Sequence, residues 1–165
     1  MGDISMAVRK YLIFSFIPFI ASLIFLTGCS GILDQSNGDI HPIDDTILFS
    51  IVDSIELSSW TGPRDWILGM STETIYPCCN WSLEHYIVRD HNYITVNLLG
   101  IYQPDICLTA LGPAVSSSAL GISNGEYALT FVYNGMYDDY VIAVSDSGAV
   151  ITEMDATFTQ SRPES

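Results

Sequence analysis

Basic residues are almost missing from this chain, and lysine stops altogether at Lys10. Beyond that point only Arg64, Arg89 and Arg162 carry a permanent positive charge. Residues 29–165 set 18 carboxylates against these three guanidinium groups, a formal net charge of −15 over 137 residues. A nucleic-acid partner needs a basic footprint to displace phosphate counterions, so that partner class is excluded. Anionic lipid headgroups are repelled by the same field, and the acidity itself suits solubility at a crowded surface. Motifs of chemistry are missing too. There is no Gly-rich phosphate loop or dinucleotide fingerprint, no Gly-x-Ser-x-Gly elbow and no cysteine-protease signature. We therefore expect no cofactor, no catalytic residues and no enzymatic activity. A zinc set drawn from Cys78, Cys79, Cys107 and His85 or His91 lacks the usual C-x₂₋₄-C spacing, and adjacent cysteines suit one tetrahedral ion poorly.

What is present begins at the N-terminus. Arg9 and Lys10 precede an apolar run over 11–26, which closes on Leu26-Thr27-Gly28-Cys29. Basic, apolar and small-residue zones in that order are the layout of a signal peptide. A retained transmembrane helix, which needs about 20 apolar residues, is the rival reading. Pro18 and the Thr27-Gly28 end fit an export leader better. Met6 offers an alternative start to Met1, free of Asp3. The closing tetrapeptide resembles the lipobox of prokaryotic lipoprotein precursors. That resemblance implies a helical signal segment over 1–28 that is removed, and a thioether-linked diacylglycerol on Cys29, which becomes the first residue. It also implies attachment to the cell membrane or outer membrane through that lipid, with the domain on the extracytoplasmic side. Ser30 is not the aspartate associated with inner-membrane retention in some diderm bacteria.

With Cys29 acylated, Cys78, Cys79 and Cys107 remain, and an exported domain can keep disulfides. Neighbours in an extended chain point to opposite faces, so one of Cys78 and Cys79 should bridge to Cys107. The closed loop of about 30 residues stabilises by roughly 3–4 kcal/mol in the chain-entropy picture. The other thiol is then free or paired elsewhere.

Residues 29–45 are punctuated by Gly, Ser, Asn, Asp and Pro without periodicity. They read as a lipidated flexible tether of about 20–25 Å. Asp39, His41, Asp44 and Asp45 read there as solvated groups rather than a cation site. From residue 46 to 159 the signal is β. Candidate strands are 46–58, 66–70, 73–76, 83–89, 93–99, 106–111, 115–122, 126–133, 140–144 and 150–158, with a polar tail over 160–165. Turns fall at Asp90-His91-Asn92, Gly112-Pro113, Asn134-Gly135 and Asp146-Ser147-Gly148. The strongest alternation puts Tyr127, Leu129, Phe131 and Tyr133 on one face. A second sets Val150, Thr152, Met154, Ala156 and Phe158 together. Short strands at this spacing argue for an antiparallel sandwich or barrel. Residues 120–131, with Gly125-Glu126-Tyr127-Ala128-Leu129, resemble the late strand of secreted immunoglobulin-like domains, in which a tyrosine packs at a corner. The expected fold is thus an all-β, antiparallel, immunoglobulin-like β-sandwich after a helical signal segment.

Candidate binding residues are Trp60, Arg64, Trp66 and Trp81, because two tryptophans flank a turn carrying a rare arginine and exposed aromatics offer large contact area. Asp138, Asp139 and Asp146 are oxygen donors on neighbouring turns and form a weaker calcium alternative, without EF-hand spacing. Asn80-Trp81-Ser82 fits the N-glycosylation sequon. The expectation is a membrane-anchored, non-enzymatic surface interaction or envelope-structural module, touching the membrane through Cys29 and a protein or carbohydrate partner through its aromatics. A carbohydrate- or calcium-binding module or a small enzyme inhibitor is the alternative.

Overall fold

The structure, a computed structural model, describes residues 38–56 and 64–162. The signal segment, the lipobox with Cys29, the first part of the tether, Trp60 and the last three residues of the tail lie outside the described residues. Within them the chain is all-β, as the alternating sequence predicts. Ten strands occur: β1 Asp39–His41, β2 Ile47–Asp53, β3 Trp66–Tyr76, β4 Ser82–Asp90 and β5 Tyr93–Gln103 come first. β6 Gly112–Ala119, β7 Gly125–Tyr133, β8 Met136–Ser145, β9 Gly148–Asp155 and β10 Thr159–Ser161 complete the set.

Their hydrogen-bonded order is β10-β2-β3-β6-β4-β5-β7-β8-β9, with β1 added to β5. This continuous sheet folds over into two facing layers. β10-β2-β3-β6 and β4-β5-β7-β8-β9 meet at a narrow corner, where Ser82 pairs with Val115 and His85 Nε2 lies 2.8 Å from Ser118 Oγ. Across the interior, Phe49 of β2 packs 4.7 Å from the Phe131 ring of β7 and 4.9 Å from Tyr140 of β8. The result is a barrel-like shell around one apolar core that includes Ile47, Ile51, Leu68, Leu83, Ile94, Leu129 and Ile142. Burying such side chains contributes roughly 1.5–3 kcal/mol each.

Pairing is mostly antiparallel, but β10–β2, β4–β6 and β5–β7 run parallel. A parallel neighbour requires the chain to return to its starting end before pairing. β6 does this between β5 and β7. The β7–β8 hairpin turns on Asn134 (φ 49°) and Gly135 (φ 79°), the two positive φ values that a tight hairpin needs.

Local departures from the expected elements have physical reasons. Asp39–His41, assigned to the tether, pairs with Ile101, Tyr102 and Gln103, so the sheet starts before residue 46. Residues 66–76 form one strand, because the ladder with β6 tolerates an irregularity between Ser71 and Ile75. Gly112-Pro113 opens β6 instead of breaking the chain, with Pro113, its second residue, opposite Ile75 of β3. The polar tail contributes Gln160 and Ser161 to β10. On β9, Val150 and Met154 face solvent, each 65% exposed. Ala149 and Ile151 turn inward against the core, opposite Val144 and Ile142 of β8.

The shell is closed between β8 and β10 by one carboxylate. Asp138 is fully buried. It accepts hydrogen bonds from the amides of Thr157 (2.8 Å), Phe158 (2.9 Å) and Thr159 (2.6 Å), and from the hydroxyls of Thr157 (2.9 Å) and Thr159 (2.7 Å). Tyr140 adds its hydroxyl to the Thr159 carbonyl at 2.9 Å.

Candidate functional site

Strand direction sorts the connections into two ends. One gathers β1, the β3–β4 connection and the β5–β6 connection. Its centre is the disulfide Cys78–Cys107, with Cα atoms 5.2 Å apart, which resolves the choice left open by the sequence. Cys78 is buried and faces the bridge. Cys79, adjacent in the chain, is not part of this bridge. A zinc set that uses Cys78 and Cys107 is thereby ruled out, since both sulfurs are committed to the bridge.

Beyond the disulfide, residues 104–111 form a loop and not the strand expected over 106–111. Asn80 holds it. Its amide nitrogen donates to the Ile106 carbonyl at 2.7 Å, and its amide oxygen accepts from the Leu108 N–H at 3.3 Å. The sequon residue thus has a structural task. With its backbone pinned from both sides, the loop turns Ile106 (75% exposed), Leu108 (45%) and Leu111 (76%) towards solvent, beside Ile75 at the end of β3. The apolar residues of 106–111, expected to form a strand, have no sheet partner and face outward.

Trp81 lies at the same end, between Tyr76 (ring centroids 4.3 Å, 17° between planes) and His41 (5.6 Å, 14°). Trp81 is thus engaged by two neighbouring rings rather than left as an open stacking surface. His41 is further fixed by Gln103, 2.8 Å from its Nε2. Burial raises the Tyr76 hydroxyl pKa, and the charges of Asp45 and Asp44 raise it further. Burial also pushes the Asp45 carboxyl upward, but hydrogen bonds from Thr74, Thr46 and Glu73 outweigh it and leave the group lowered. Asp45 therefore ties the start of β2 to β3.

The opposite end is polar and cross-linked by charges. Arg64 meets Asp53 at 2.7 Å and Asp146 at 3.5 Å. Asp146 also accepts from Asn124 at 3.0 Å. A backbone hydrogen bond from Ile55 lowers the Asp53 pKa most, followed by the Arg64 side chain. Arg89 donates to the Gly121 carbonyl at 2.6 Å, and Asp65 accepts from the Gly121 N–H at 2.8 Å. Tyr127 donates its hydroxyl to Ser123 four residues upstream, at 3.0 Å. A shallow, open depression of about 510 Å³ lies here, lined by residues that include His91, Tyr93, Glu126 and Tyr127.

The four expected binding residues do not converge. Trp66 is a core residue, 4% exposed, packed beneath the polar end. Arg64 is occupied by its carboxylate partners, and Trp81 sits at the stapled end. Trp60 is outside the described residues. The calcium alternative fails on geometry. Asp138 is saturated by donors inside the shell, Asp139 faces outward and accepts from Thr130 Oγ1 at 2.6 Å, and Asp146 serves Arg64 and Asn124. Among the described residues no group of three or more His, Cys, Asp or Glu side chains is arranged to hold a metal ion.

Comparison of the chain with protein-family models, with curated proteins and with solved structures returns no match. Function must therefore be argued from the residues themselves.

Proposed function

We propose that the protein is a lipid-anchored extracytoplasmic module, held at a membrane by diacylglycerol on Cys29 and acting there by contact without catalysis. The observation that carries this reading is the basic, apolar and small-residue leader closing on Leu26-Thr27-Gly28-Cys29. The Cys78–Cys107 disulfide supports it, because such bridges persist in oxidising compartments outside the cytosol. Support also comes from the Tyr127–Ser123 bond, the corner contact of secreted immunoglobulin-like interaction domains. The acidic, lysine-poor domain contributes no electrostatic attraction to anionic lipid, so attachment depends on the acyl chains.

Fractionation tests the proposal. The parent protein should sediment with membranes. Cys29→Ser should appear either as a released domain or as an uncleaved precursor. Globomycin, which inhibits the lipoprotein signal peptidase, should cause the precursor of the parent protein to accumulate. Correct processing and membrane recovery of Cys29→Ser would overturn the reading.

A further inference from the structure

We infer that the disulfide-braced loop over 104–111 is a bilayer contact: Ile106, Leu108 and Leu111, with Ile75 beside them, enter the acyl-chain boundary next to the anchor. The inference rests on the lipid anchor proposed above. Its structural basis is where the chain joins the sheet. Asp39, the first residue of β1, pairs with Gln103, and the loop begins at the next residue, Pro104. The end of the shell nearest the anchored N-terminus is thus the end that displays these aliphatics. Ten peptide steps separate Cys29 from Asp39 and cannot exceed about 35 Å. The ten steps of β5 from Gln103 span a further distance of about 33 Å to Tyr93 at the other end. An anchored domain can therefore rest on its stapled end while the polar end stands away from the surface.

The chemistry of the loop selects lipid over a protein partner. Its large exposed apolar groups, Ile106, Leu108 and Leu111, are all branched aliphatics, which match acyl chains. It has no Tyr, Trp or Arg, the residues that concentrate binding energy at protein interfaces. Its backbone is held by Cys107 and Asn80, so little ordering cost accompanies insertion. A contact of three or four aliphatics is weak by itself. Covalent tethering makes it intramolecular, and a high effective concentration then makes a weak contact sufficient. Asp39, Asp44, Asp45 and Asp105 belong to the same end, and their charge favours a zwitterionic surface over an anionic one.

The test uses the full processed, lipidated protein in phosphatidylcholine vesicles made with or without brominated acyl chains. Leu111→Trp and Ile106→Trp place a fluorophore at two exposed loop positions, so neither disturbs the core. Tyr93→Trp places one at the opposite end. Roughly half or more of the emission added at 111 and 106 should be lost in brominated vesicles, as for a side chain at the headgroup–acyl boundary, while that at 93 is unchanged. Protein that floats with the vesicles but keeps its added loop emission overturns the loop contact and leaves the anchor standing. This is the outcome expected if the loop serves a protein partner. Protein recovered apart from the vesicles overturns both.

Discussion

The two ends of the shell are built from opposite materials. At the stapled end a disulfide and an asparagine fix the backbone, and aliphatic side chains are left facing outward. At the polar end Arg64, Arg89, Asp53, Asp65 and Asp146 tie the loops to one another through charged hydrogen bonds. Arg64 is neutralised by Asp53 and Asp146, and Arg89 and Asp65 are occupied by the Gly121 backbone. The difference concerns what each end has left for a partner. Surface ion pairs consume their own binding capacity and contribute little stability. A covalent brace lets the loop keep its apolar groups exposed, because the loop needs no hydrophobic packing of its own to stay in place.

Asp138 gives the largest expected effect, because it closes the seam between β8 and β10. Asp138→Ala leaves five donors without their acceptor inside the shell, and should cost about 4 kcal/mol in chemical denaturation. Hydrogen exchange should then rise at both ends alike. Faster exchange confined to one end would show that the seam does not couple them. Next comes the staple. Cys78→Ala with Cys107→Ala should cost about 3 kcal/mol, with added exchange concentrated in 104–111 and the polar end unchanged. Uniform loss across the domain would break the distinction between the ends.

A smaller effect follows from acid. Burial pushes the Asp138 carboxyl up, but hydrogen bonds from Thr159, Phe158 and Thr157 overcome it and hold the group below its ordinary value. Its contribution is therefore fully present above about pH 4, the unfolded carboxylate value, and is lost as pH falls through the lower folded value. The melting temperature should fall in that acid window, and the part due to Asp138 should vanish in Asp138→Asn. An identical acid profile in the variant would remove Asp138 as the source. The least effect is expected from Arg64→Ala. Its guanidinium is exposed, and stability should be nearly unchanged at moderate salt. A loss as large as that from removing the disulfide would contradict the account of the polar end.

How far these features could be read from the sequence depended on what sets them. The β7–β8 hairpin was legible because Tyr127, Leu129, Phe131 and Tyr133 alternate and Asn134-Gly135 supplies the turn chemistry, both local properties. Cysteine pairing was legible down to a choice of two, since the facing rule limits Cys78 and Cys79 to one bridge but does not say which is buried. The parallel β5–β7 contact was not legible, because it depends on the path taken by β6. Nor was the burial of Asp138. An aspartate three residues past a hairpin turn looks solvated, and its donors come from Thr157 to Thr159, about 20 positions on. Trp66 beside a Gly-Pro turn looked like a binding residue, yet it is the first residue of a strand whose inner face fills the core. The stapled loop was misread as a strand for the converse reason: a run of apolar residues can be displayed outward without a sheet partner.

Intact mass spectrometry of the membrane-extracted protein tests lipidation at Cys29 most directly. We predict a chain that begins at Cys29 and carries the added mass of a diacylglyceryl group, with or without an amide-linked acyl chain. The mass of an unprocessed chain, or of a chain cleaved elsewhere and bearing no lipid, would contradict it.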